Sequence, residues 1–155
     1  MLAEERKMNM TEAIFDENTV RVQLIRDGKP KSKFKIKYPK HIYALFKDRF
    51  SKLDREEAWV VLLNNRNQVM GTHLLSIGIL DASIIHPREV FKVAILGNAA
   101  TVIIVHHHPS GDAEPSDEDK AITRRMRDAG ELLGIPLADH IIIGIDSFYS
   151  FTENL

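Results

Sequence analysis

Along this chain apolar positions alternate, run together or recur at helical spacing, and the order of those patterns predicts the elements. Val20, Val22 and Leu24 take alternate positions from Thr19 to Arg26; Asp27-Gly28 and Pro30 interrupt, and alternation resumes at Phe34, Ile36 and Tyr38. Two alternating runs around a turn predict a β-hairpin. Pro39 opens a stretch in which Ile42, Leu45, Phe46, Phe50 and Leu53 keep helical spacing. Ala58 to Leu63 is a continuous apolar run and reads as a central strand; after the polar turn Asn64 to Gln68, Val69 to Ile77 returns beside it. A loop with Gly78 leads to a helix from Pro87 to Leu96, stopped by Gly97-Asn98. Ala99 to Val105 is a second buried strand. Ser116 to Leu133 reads as a helix, with Ile122, Met126, Leu132 and Leu133 inward and Gly134 and Pro136 closing it. His140 to Ile145 predicts another strand, and Phe148 to Phe151 an edge. Interleaved strands and helices predict an α/β fold with a mixed sheet flanked by helices.

Composition narrows the chemistry. With 155 residues, 44% hydrophobic and 28% charged, the chain fits one domain with a real core. It contains no cysteine, which excludes disulfides, thiolate nucleophiles and sulfur-ligated zinc. No segment is apolar enough to span a bilayer, and the first residues lack the apolar centre of a secretory signal, so a cytoplasmic protein is expected. The net charge of −1 hides a division, +5 over residues 1–54 and −6 over 55–155.

The acidic half holds the most unusual stretch, VHHHPSGDAEPSDED at residues 105–119, where three histidines end a buried strand. On a strand, residues two apart share a face, so His106 and His108 point together and His107 points away. Asp119 falls one turn into the next helix, and Pro109-Ser110-Gly111 can fold it back over the strand end. Two imidazoles and one carboxylate suit zinc, and three protein ligands with one open position mark catalytic rather than structural sites. Ser116-x-x-Asp119 is also a capping-box pattern, and helix capping alone accounts for both residues without a metal. Asp112, Glu114, Asp117 and Glu118 read as a solvated loop, and His41, His73, His86 and His140 each stand alone, His140 nearest the site.

His-x-His-Pro-Ser-Gly followed by Pro-Ser-x-x-Asp resembles the signature of the JAB/MPN (JAMM) metalloproteases, specifically the bacterial RadC-like branch. IIHPREVF (84–91), NAATVIIVHHHPSGDAEPSDED (98–119) and LADHIIIG (137–144) carry the likeness, which covers residues 55–155. The resemblance implies a cytidine-deaminase-like α/β fold, Zn²⁺ held by His106, His108 and Asp119, and an upstream glutamate. Glu56 matches the family's phase for that glutamate, with Glu57 its neighbour and alternative. Two departures stand out: residues 1–54 do not resemble the helix-hairpin-helix module that precedes the domain in full-length relatives, and His107 takes a place commonly held by Asn. Residues 1–18 are expected to form a loosely docked terminus, 19–54 a hairpin and helix extension, and 55–155 the RadC-like domain.

If the site is active, the resemblance implies hydrolysis of a peptide or isopeptide bond by a metal-activated water. Glu56 would serve as general base and then acid. Ser116 would donate a hydrogen bond to the carbonyl oxygen as it gains charge. The competing expectation follows from the family's association in name with DNA repair: a metal-dependent nuclease, or a non-catalytic module touching nucleic acid through Lys33, Lys35 and Lys37. Lysines on an outward strand face also simply discourage edge-to-edge pairing, and no aromatic residues interleave with them.

Overall fold

The continuous apolar runs become the middle of a sheet. In the computed structural model, which describes residues 22–28, 34–78 and 85–154, eight elements follow in order. They are α1 (Pro39–Phe50), β1 (Glu56–Leu63), β2 (Val69–Gly78), α2 (Pro87–Leu96), β3 (Thr101–His107), α3 (Asp117–Leu133), β4 (Leu137–Ile143) and β5 (Phe148–Ser150). The five strands form one sheet in the order β2-β1-β3-β4-β5. β3 and β4 are parallel and joined through α3; every other neighbouring pair is antiparallel. The sheet is therefore mixed, as the interleaving predicted.

Both faces of the sheet are covered, which is why its central strands read as unbroken apolar runs. Val60, Leu62, Val102 and Ile104 pack with Val90, Phe91 and Ala94 of α2 and Met126 of α3. Val61, Leu63, Ile103, Val105, Ile141 and Ile143 face the other way, onto Ile42, Phe46 and Phe50 of α1. Each residue step along β1 or β3 changes the face. In register, Ala58 lies opposite His106, and Ile104 lies beside His140 across the parallel pair.

Local signals fix the helix ends. His86 accepts a hydrogen bond from the Arg88 N–H and caps α2, with Pro87 at its first position. α3 begins with a full capping box at Ser116 and Asp119 and ends at Gly134, in the left-handed region at φ 68°.

Two expectations need correction. The first concerns the N-terminal hairpin. Residues 22–28 carry no strand, and the limb from Phe34 pairs with the β1–β2 turn instead: Lys35 bridges Gln68, and Ile36 N–H donates to the Asn67 carbonyl. Residues 1–21 and 29–33, including the rest of that expected hairpin and the expected terminus, lie outside the described residues. The second concerns the tail of α3. Leu132 and Leu133 are 87% and 47% exposed, while Thr123, Met126 and Gly130 form the buried stripe. Leu132 lies two positions past Gly130, roughly 200° around the helix, so it faces solvent. Gly130 is the point of closest approach: a Cβ there would sit 2.6 Å from the Ile135 carbonyl oxygen.

Candidate metal centre

Strand alternation sorts the histidine run. His106 is buried on the α3 side of β3, and His108, just past the strand end, shares that side; their Nε2 atoms are 3.1 Å apart. His107 turns to the α1 side, where its ring stacks on Phe50 at 4.6 Å between centroids. The neighbouring glutamates divide the same way. Glu56 Oε1 reaches to 3.8 Å from His106 Nε2. Glu57 is buried on the opposite face, where it accepts from Trp59 Nε1 and pairs with Arg49. Of the two candidate bases, Glu56 is the one on the imidazole side.

The turn after β3 brings Asp119 over the strand end. Gly111 at φ 87° closes it: its N–H donates to the His108 carbonyl, and its own carbonyl accepts from Ile145 N–H. Asp119 then places Oδ1 3.1 Å from His106 Nε2 and Oδ2 3.4 Å from His108 Nε2. The carboxylate is held by the capping box, in which Ser116 N–H donates to Oδ2 at 2.8 Å. The Ser116 hydroxyl also donates to Oδ2, at 2.7 Å, while accepting from Asp119 N–H. The sequence reading had that proton donating outward; here the carboxylate takes it. Capping and the cluster are therefore one arrangement, not rival explanations of Ser116 and Asp119.

His106 Nε2 thus lies 3.1 Å from both His108 Nε2 and Asp119 Oδ1, and His108 Nε2 lies 3.4 Å from the other carboxylate oxygen, Oδ2. Ligands at about 2.0–2.1 Å from a tetrahedral zinc ion stand about 3.3 Å apart, so the spacing fits. The His108 Nδ1 atom lies 2.8 Å from the Asp112 carbonyl, which can only accept, so Nδ1 carries a proton and, when the ring is neutral, Nε2 offers its lone pair. Glu56, His106 and His108 also bring one donor atom each within 4.8 Å of one another. Glu56 approaches one imidazole at 3.8 Å, whereas Asp119 approaches both, at 3.1 and 3.4 Å.

Electrostatics favour positive charge here. His108 is pushed up from the usual imidazole value mainly by its hydrogen bond to Asp119. Burial works to raise Asp119, but the contacts of His106 and His108 outweigh it and hold the carboxyl far below the usual carboxylate range. His107 is pushed down by burial, against the opposing charge of Glu57. Asp112 and Glu114 are exposed in the loop, as expected, whereas Asp117 and Glu118, expected with them, are exposed on the first turn of α3.

Two partners of the cluster come from elsewhere in the chain. His140, fully buried on β4, lies with Nε2 2.8 Å from His106 Nδ1. Its Nδ1 is 2.6 Å from the Thr123 hydroxyl. Sequence reading placed His140 near the site but gave Thr123 no role. The available signal was helical spacing, since Thr123 stands four residues after Asp119 on the inward stripe of α3. Beside His108, a recess of about 330 Å³ opens among Lys47, Phe50, Leu53, Pro109 and Ile145. Lys35 and Lys37 are exposed, and Lys33 lies outside the described residues. Among the described residues no helix is long and apolar enough to cross a membrane.

The likeness to known proteins runs through these elements. The UPF0758 protein of Desulforamulus reducens is 49% identical over 115 residues, 74% of this chain and 51% of that protein. Its counterpart in Clostridioides difficile is 46% identical over 123 residues (79% and 52%), and that of Moorella thermoacetica 48% over 118 (76% and 52%). The chain spans about half the length of these curated relatives. A family model described as the RadC-like JAB domain matches residues 36–155, from the limb before α1 to the last residue. With the mixed sheet, the match and these relatives in agreement, the chain belongs to the RadC-like JAB domain family.

Proposed function

We propose that this chain is a zinc-dependent hydrolase of the JAMM type that cleaves a peptide or isopeptide bond. One observation carries the reading: Glu56 stands 3.8 Å from His106 Nε2, beside a His106–His108–Asp119 set whose spacing suits one tetrahedral cation. The donors are nitrogen and oxygen only, a set that zinc accepts and that leaves a position open. When bound, zinc supplies a Lewis acid and makes a water acidic enough to ionise near neutral pH.

The protein's own groups do the rest. Glu56 takes the proton of the attacking water and returns it to the departing amine. Its partial exposure lets it reach both, whereas Glu57 is locked to Trp59 and Arg49. Ser116 polarises the scissile carbonyl. Its hydroxyl donates to Asp119 Oδ2 in this structure and would turn that proton to the carbonyl oxygen as it gains charge.

Metal analysis and zinc titration of the purified protein come first, followed by a panel of peptide and isopeptide substrates with and without chelator. The expected result is one zinc per chain and chelator-sensitive cleavage that Glu56→Gln abolishes with zinc content intact. Zinc binding combined with chelator-sensitive cleavage of DNA but not of peptides would replace the peptidase by a metal-dependent nuclease. Salt-sensitive DNA affinity without turnover, lost on Lys33/Lys35/Lys37→Ala, would replace it by a binding module.

A further inference from the structure

We propose that His140 and Thr123 are positioning residues that lock His106 in its Nδ1–H tautomer, so that the Nε2 lone pair faces Asp119 and His108. The purpose of this lock rests on the metal reading above; the lock itself is a matter of proton bookkeeping.

The chain of inference starts at a backbone carbonyl. The Asp119 carbonyl oxygen can only accept, and it lies 2.6 Å from Thr123 Oγ1, four residues along α3. The Thr123 hydroxyl has a single proton, and donating to the carbonyl one turn back is its ordinary bond in a helix. With that proton committed, the 2.6 Å contact between Thr123 Oγ1 and His140 Nδ1 requires the imidazole to be the donor. His140 is fully buried, and among the described residues its ring nitrogens meet only Thr123 Oγ1 and His106 Nδ1, with no carboxylate against the ring to balance a charge, so the imidazole is neutral. A neutral imidazole protonated at Nδ1 has a bare Nε2. That Nε2 is 2.8 Å from His106 Nδ1, so His106 donates and keeps its own Nε2 free.

Each proton position follows from the one before. The path leaves the backbone of Asp119, passes through α3, β4 and β3, and ends at the His106 Nε2 lone pair, 3.1 Å from the side chain of Asp119. Tautomer and ring orientation of a ligating histidine are set by what its other nitrogen meets. A shuttle role for His140 does not fit: the residue has no solvent exposure, and the far end of the path is a carbonyl that cannot take a proton. Phe151 stacks on the His140 ring at 5.0 Å, nearly parallel at 10°, which fixes the ring plane.

The test reads tautomers directly. Nitrogen-15 histidine NMR of the metal-free protein above pH 8 should show His106 and His140 both as Nδ1–H. Zinc affinity, from competition with a chromophoric chelator, should fall about 10–100-fold in His140→Leu, with His106 losing its single tautomer. His140→Gln, whose amide oxygen can accept from His106 Nδ1–H, should recover most of the affinity. A merely structural role would weaken Leu and Gln variants alike and leave the His106 tautomer unchanged. The proposal is overturned by an Nε2–H tautomer of His106 in the wild type, by equal loss in Leu and Gln, or by wild-type affinity in His140→Leu. If His140→Leu does not fold, Thr123→Val against Thr123→Ser makes the same comparison one step away: loss in Val alone supports the lock, equal affinity overturns it. A wild-type protein that binds no zinc defeats the metal reading, while its His106 tautomer still decides the lock.

Discussion

His106 and His107 are adjacent, identical and both buried, yet they belong to different parts of the molecule. His106 meets His140, His108, Asp119 and Glu56, all polar. His107 meets the Phe50 ring and the Glu57 N–H, which it accepts at Nδ1, and its Nε2 has no partner. Glu56 and Glu57 repeat the division fifty positions earlier, on the strand that pairs with β3. The difference comes from one residue of strand phase. Between them the faces hold an α3 side built around lone pairs and an α1 side built around aromatic packing. A shift of register by one residue would exchange them, so the apolar alternation that orients the core also selects which imidazoles can act.

The sharpest way to break this comparison is to treat the two glutamates identically. Glu56→Gln removes the proposed base and should lower turnover about 10²–10⁴-fold, with zinc content unchanged. Glu57→Gln should leave turnover intact. It weakens the pairing with Arg49 while keeping an oxygen for Trp59 Nε1, at a cost of about 1 kcal/mol in denaturant unfolding. Comparable loss of turnover in both would mean that the faces are not functionally separate.

Next in size is the metal. His106→Ala and Asp119→Ala should each lower zinc affinity more than ~100-fold, beyond the 10–100-fold range of groups that only orient a ligand. Zinc titration with a competing chelator checks this, and binding as tight as wild type in either variant removes that residue from the ligand set.

Much of this arrangement was legible before any coordinates. The runs at 58–63 and 99–105 declared central strands because both faces are covered, and a residue step then had to separate His106 and His108 from His107. The capping box was readable from Ser116 and Asp119 because its partners are three residues apart. What could not be read depended on distant contacts. The lock on His106 joins Asp119, Thr123 and His140 across α3 and β4, and nothing local in the sequence couples them. The inward face of α3 was misjudged at Leu132 and Leu133 because apolarity was counted and Gly130, which brings the helix onto the chain near Ile135, was not. The limb at Phe34 to Ile36 had the right pattern but found its partner at Asn67 to Val69, a choice between equally plausible edges that periodicity cannot make.

A smaller effect separates the buried imidazoles by pH. Burial holds His140 well below its ordinary value of 6.5. The unfolded chain therefore binds a proton there that the folded chain refuses. Its contribution is present above about pH 6.5 and lost as the pH falls, about 1 kcal/mol between pH 6.5 and 5.5. His107, also pushed down, works in the same direction. His108, pushed up by Asp119, has the opposite sign: its contribution is full below about pH 6.5 and is lost on going alkaline through its raised value. Urea midpoints of the metal-free protein should therefore fall from pH 6.5 to 5.5, with a shallower fall in His140→Gln. An identical slope in that variant would show that His140 titrates normally.

The smallest expected change is the most direct test of the division. His107→Asn introduces the residue that the resemblance of the sequence motif implies at that place. Asn Oδ1 can accept the Glu57 N–H much as Nδ1 does, so the strand junction keeps its bond. The variant loses the stacked contact with Phe50, worth about 0.5–1.5 kcal/mol beyond area for an aromatic pair. It also exchanges the unpartnered imidazole nitrogen for the Asn amide nitrogen, so a buried donor stays unsatisfied in either case. Stability should therefore fall by about 0.5–1.5 kcal/mol in urea unfolding, the loss of the ring contact alone. Zinc affinity should not move, because no ligand contact passes through the α1 face. A tenfold loss of zinc in His107→Asn, without loss of fold, would show that the middle histidine reaches the metal side, and that the two faces of β3 act as one site.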